Sequence, residues 1–124
     1  MPGNHSIVES YITPISDGVV LSKELISDFE NHYVSVTFFS DDKGRVVISK
    51  SAMAGNVVLE ATTNGVEYGV MLVDTDTDGV LLLGGTGELV GQVAGSYKYC
   101  RATLNITGAA GATHVKLSVN NYKG

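Results

Sequence analysis

Asn56-Val57-Val58-Leu59-Glu60-Ala61-Thr62-Thr63-Asn64-Gly65-Val66-Glu67-Tyr68-Gly69-Val70-Met71-Leu72-Val73 is the stretch on which the fold class turns. Two runs rich in Val, Leu and Thr flank Asn64-Gly65, the dipeptide that most readily supplies positive φ at both positions of a two-residue type I′ turn. The predicted register sets Thr63 against Val66, Ala61 against Tyr68, Leu59 against Val70 and Val57 against Leu72. One face then carries Val57, Leu59, Ala61, Tyr68, Val70 and Leu72, a continuous apolar set expected to be core. The other carries Glu60, Thr62 and Glu67, but also Val58, Met71 and Val73. Apolar side chains on that outward face call for a cover, supplied either by the rest of the domain or by another subunit. Val58, Met71 and Val73 are therefore the candidate interface.

The same alternation recurs along the chain. Cys100, Ala102, Leu104 and Ile106 alternate with Arg101, Thr103, Asn105 and Thr107, and Val115, Leu117 and Val119 alternate with Lys116, Ser118 and Asn120. The small residues 108–112 between them suit a tight connection, so a second hairpin is expected at the C-terminus. Further strands are expected at 34–39 and 45–49, joined by Asp41-Asp42-Lys43-Gly44, and at 80–83 and 88–93, joined by Gly84-Gly85-Thr86-Gly87. Fifteen glycines and two prolines punctuate the runs. The prediction is an all-β, antiparallel β-sandwich or small barrel of about seven or eight strands over residues 33–124. Residues 1–32 read as an N-terminal arm. Leu25 and Phe29 behind Ser22 give it room for one short helix, and the stretch from His5 to Leu21 suits one or two edge strands or an arm docked on a neighbouring molecule.

Composition narrows the function. The 124 residues fit one domain, and eight Lys and Arg against thirteen Asp and Glu leave a net charge of −5. The basic residues stand singly, so neither nucleic acid nor an anionic membrane surface is an expected partner. The start lacks a basic segment followed by an apolar one, and no apolar run approaches the roughly 20 residues of a membrane span. Cys100, the single cysteine, rules out an intramolecular disulfide and reads as a small core residue.

Catalytic and cofactor motifs are not found, and no enzyme activity and no cofactor are expected. Asp74-Thr75-Asp76-Thr77-Asp78-Gly79 matches the first half of a calcium loop, whose alternating carboxylates converge on a hard cation. The second half fails, because Gly85 stands where the bidentate Glu belongs. Asp74, Asp76 and Asp78 remain the metal candidates, but the expectation is no metal and a hairpin turn at Asp78-Gly79. His5, His32 and His114 are scattered and read as surface or strand residues. Tyr97 and Tyr99, read on one face with Arg101, could line a glycan or protein site, although a stabilising cross-strand row is the favoured account.

Residues 97–119, a strand, a Gly-Ala-Thr-His turn and a strand, resemble the closing hairpin of small virion accessory proteins of tailed bacteriophages. Residues 33–40 are similar to an early strand of such proteins, and the resemblance spans residues 33–122. It implies a β-sandwich in the virion, a structural protein that decorates the capsid or attaches a fibre. Its partners would be itself, as a homo-oligomer with a trimer favoured, and other virion proteins. The alternative is a carbohydrate- or receptor-binding module of a tail or fibre.

Overall fold

The computed structural model describes residues 6–15, 20–24, 31–70, 72–73, 77–78, 80–85, 90–94 and 97–122. The strands are β1 (Ser6–Pro14), β2 (Val20–Glu24), β3 (Asn31–Phe39), β4 (Val47–Ile48), β5 (Ala54–Thr62), β6 (Gly69–Val70), β7 (Leu72–Val73), β8 (Thr77–Asp78), β9 (Val80–Leu82), β10 (Val90–Ala94), β11 (Tyr99–Gly108) and β12 (His114–Tyr122). Two antiparallel sheets form the sandwich that the alternation predicts. In the first, β1, β12, β3 and β10 lie side by side and β4 shares the β10 side of β3; in the second the order is β2, β11, β5, β6, with β9 sharing the β6 side of β5. β7 and β8 pair with each other in a separate ribbon.

Period-two alternation puts one face of every long strand into a shared core. Val34, Val36 and Phe38 of β3 and Val115, Leu117 and Val119 of β12 meet Val57, Leu59 and Ala61 of β5 and Cys100, Ala102 and Leu104 of β11. Met53, Leu83 and Ala112, from the connections, join the same cluster. Each large aliphatic side chain so buried contributes about 1.5–3 kcal/mol before entropy is counted. At one end the alternation turns polar: His32 and Asn121 are cross-strand partners, both buried, with Nδ1 and Oδ1 2.6 Å apart. Tyr97 meets the His32 ring edge to face at 6.4 Å.

Several sequence expectations need correction. The C-terminal strands form no hairpin: β11 pairs with β2 and β5, whereas β12 pairs with β1 and β3 in the other sheet. Their apolar faces confront each other across the core, and the chain crosses between sheets through Ala110 (φ 50°) and Gly111 (φ 88°). The strands at 80–82 and 90–94 likewise belong to different sheets. The Asn64-Gly65 turn is wider than two residues, and β5 pairs with β6 one residue out of the predicted register, Glu60 with Val70 and Ala61 with Gly69. Side-chain bonds explain the widening. Thr62 Oγ1 accepts the Gly65 amide at 3.0 Å, and Asn64 Oδ1 accepts the amides of Val66 at 2.8 Å and Glu67 at 2.9 Å, so local side-chain acceptors displace the tight turn. Val57 then pairs with Leu81 of β9 in place of Leu72.

Of residues 1–32, the two described strands complete the sheets: β1 runs along β12, and β2 along β11. The helix expected behind Ser22 gives way over residues 22–24, which pair with residues 99–101 as strand; residues 25–29 lie outside the described residues. A two-turn helix is marginal in isolation, and over residues 22–24 the ladder offered by β11 overrides it.

Candidate interaction surface

The outward face of the second sheet is built by register. β5 and β11 set Asn56 beside Asn105, Val58 beside Thr103, Glu60 beside Arg101 and Thr62 beside Tyr99. Asn105 Nδ2 donates to Asn56 Oδ1 at 2.9 Å, and Arg101 Nε donates to Glu60 Oε1 at 2.9 Å. The 63–68 loop then lays the Tyr68 ring over Arg101, with the guanidinium carbon 3.9 Å from the ring centroid. Tyr68 is therefore on the outer face and half-buried, where the sequence reading put it in the core. A partly exposed ion pair adds little to stability, about 0–1 kcal/mol, so this cluster serves mainly to hold its own side chains in place. Tyr99 shares the Arg101 face as expected, but Tyr97 precedes β11 and packs on the core and His32.

Of the three predicted interface residues, Val58 is half-buried on this outer face. Met71 lies outside the described residues. Val73 is in β7, paired with Thr77 of β8 and not with β5, so the single hairpin face that joined it to Val58 does not form. Val80 pairs directly with Val58, and the next outward residue of β9, Leu82, pairs with Asn56 and is 69% exposed. Val58, Val80 and Leu82 thus form the apolar strip that the sequence reading missed. Its signal was the alternation Val80, Leu81, Leu82, which reads as one continuous apolar run until Leu81 is known to point inward.

Of the metal candidates, Asp74 and Asp76 lie outside the described residues, and Asp78 is in β8, its backbone paired with Leu72. Among the described residues no group of three His, Cys, Asp or Glu could hold a metal ion. Nor is any helix among them long and apolar enough to cross a membrane.

The sheets end differently at their two sides. One side of each is made of pieces of two to five residues, β4 and β10 or β6 and β9. The first sheet ends on its other side with β1, nine residues paired with β12 throughout and with no further strand among the described residues. β1 exposes Val8 (62%) and Ile7, and Glu9 is its single charged residue. Of the usual protections of a sheet edge, β1 carries one charge, Glu9, and a proline at its very end, Pro14, but it is long and has neither a lysine nor a bulge.

No protein-family model matches the chain, and no curated protein sequence does. Among solved structures it is similar to the SPBc2 prophage-derived protein YomS, at 14% identity over 93% of this chain and 96% of that one, with a TM-score of 0.47. It is also similar to a chain of the Bacillus endospore appendages, described as a family of disulfide-linked pili, at 6% identity over 99% and 93% with a TM-score of 0.41. A protein from Sulfurospirillum deleyianum is similar at 13% identity over 98% of both chains, with a TM-score of 0.44.

Proposed function

We propose that this protein is structural and works by burying surface against other proteins in an assembly, not by catalysis. The observation that carries the reading is the exposure of large aliphatic side chains on paired strands and turns, at Val8, Val47, Val66 and Leu82. Such side chains gain nothing in water but contribute roughly 25 cal/mol per Å² once covered. The assembly is the virion of a tailed phage, where the protein decorates the capsid or attaches a fibre as a homo-oligomer; this finer assignment rests on the sequence resemblance over residues 33–122. A glycan-binding role has less support, because three rings that could stack on a sugar lie against side chains of the chain itself, Tyr68 against Arg101, Tyr97 against His32 and Tyr99 against Lys98, which leaves Tyr33 as the exposed ring among the described residues.

Sedimentation of the purified protein, alone and with phage particles from the same source, tests the reading. The expected result is a mass above the monomer and co-sedimentation with particles. A protein that stays monomeric at every concentration and leaves the particles bare would overturn it.

A further inference from the structure

The outer edge of β1, on which no further strand among the described residues lies, has a definite hydrogen-bonding phase. Ile15 N donates to Thr113 O, continuing the register that pairs β1 with β12. Independently, Ser40 N donates to Val46 O on the β4 side of β3, which turns the even-numbered residues of β3 away from β12. In an antiparallel strand each residue aims its N–H and C=O to the same side. Both observations therefore give one phase for the sheet: Ile7, Glu9, Tyr11 and Thr13 bond to β12, while Ser6, Val8, Ser10, Ile12 and Pro14 aim their backbone groups outward. Pro14 fits this phase, since its missing N–H falls on the outward side, where a proline costs the ladder nothing.

We propose that β1 is a self-pairing edge: two copies of the chain join antiparallel through β1 about a two-fold axis at Ser10, making one continuous sheet. The inference rests on the assembly reading above and names the surface it uses. The phase allows only registers in which even residues face even residues. Centring the pair on Glu9 would set two carboxylates directly opposite each other, which is destabilising. Centring it on Tyr11 would leave the outward groups of Ser6 without a partner strand residue. With Ser10 opposite Ser10, Val8 lies opposite Ile12, Glu9 opposite Tyr11 and Ile7 opposite Thr13. Every outward N–H, from Ser6, Val8, Ser10 and Ile12, then meets a carbonyl, and no like charges face each other. An isologous pair closes at two copies, so this edge yields a dimer in place of the trimer that the phage resemblance implies.

Ser10 is exposed, so substitutions there test the register without touching the core. Ser10→Lys and Ser10→Glu, each alone, place like charges across the two-fold axis, while an equimolar mixture places opposite charges there. In sedimentation velocity each variant alone is expected to weaken dimerisation tenfold or more, and the mixture to restore it, with unchanged circular dichroism for all three samples. Ser10→Cys is expected to cross-link into a dimer under mild oxidation, because directly bonded antiparallel pairs stand about 5.5 Å apart at Cα, within disulfide range. An oligomer that persists unchanged in both charge variants would overturn the edge and leave the assembly reading intact. So would a wild-type trimer insensitive to them, or a wild-type monomer that still binds particles. A wild-type monomer that binds no particle would overturn both.

Discussion

The connections at 40–46 and 62–68 are each organised by short polar side chains, yet they do different things to the strands they join. In the first, Asp41 accepts the amides of Arg45 at 3.0 Å and Val46 at 3.0 Å, Gly44 takes φ 69°, and the chain returns along β3 as β4. In the second, Asn64 accepts two amides in the same manner and Gly65 takes φ 82°, but the chain returns along β5 for only two residues before leaving for the β7–β8 ribbon. The vacated side of β5 is taken by β9. A capped turn therefore decides where the chain reverses, and the course of the returning chain decides whether a hairpin results. The position of β5 must come from its other flank, the long ladder with β11 and the core beneath it.

That view predicts the largest losses far from the turn. Gly55 has φ 120°, and a Cβ there would stand 2.0 Å from the Asn105 carbonyl oxygen of β11. Gly55→Ala should cost about 2–6 kcal/mol, adding backbone strain to overpacking between the two strands. Leu59 is fully buried between the sheets, and Leu59→Ala should cost about 2–5 kcal/mol through lost transfer energy and a cavity. Denaturant unfolding measures both. A loss under half a kcal/mol at either position would shift the credit for placing β5 back to the turn.

Periodicity made the inward faces legible. Val57, Leu59, Ala61, Cys100, Ala102, Leu104, Val115, Leu117 and Val119 are all buried as the alternation required. It could not say which sheet a strand joins, because β11 and β12 show the same alternation whether they pair in one sheet or face each other across a core. Nor could it foresee the 63–68 loop, where a hydroxyl and a side-chain amide compete with the backbone turn for its amides. That one-residue shift moved Tyr68 from the core to Arg101, and the departure of the chain after β6 parted Val73 from Val58. The stretch from His5 to Leu21 reads as one or two edge strands or a docked arm, and β1 lies at a sheet edge among the described residues; that it runs along β12 could not be read, because it depends on where β12 ends up.

The smallest effect separates the two turns most sharply. Asn64→Ala returns the amides of Val66 and Glu67 to water and should cost about 1 kcal/mol, the same at every pH because the lost group does not titrate. Asp41 does the same work with a carboxylate, held below its ordinary pKa by the Val46 amide foremost and by the Arg45 and Lys43 amides and the Arg45 charge. A pKa lowered on folding means that the folded protein binds this proton less readily than the unfolded chain does. The contribution of Asp41 is therefore fully present above the ordinary carboxylate value and is lost as pH falls through the lowered one. Wild type should exceed Asp41→Asn in stability at neutral pH and converge with it in acid, whereas its margin over Asn64→Ala should stay flat. Urea titrations of the three proteins across that range check this, and parallel profiles for the two variants would mean that Asp41 holds its turn without its charge.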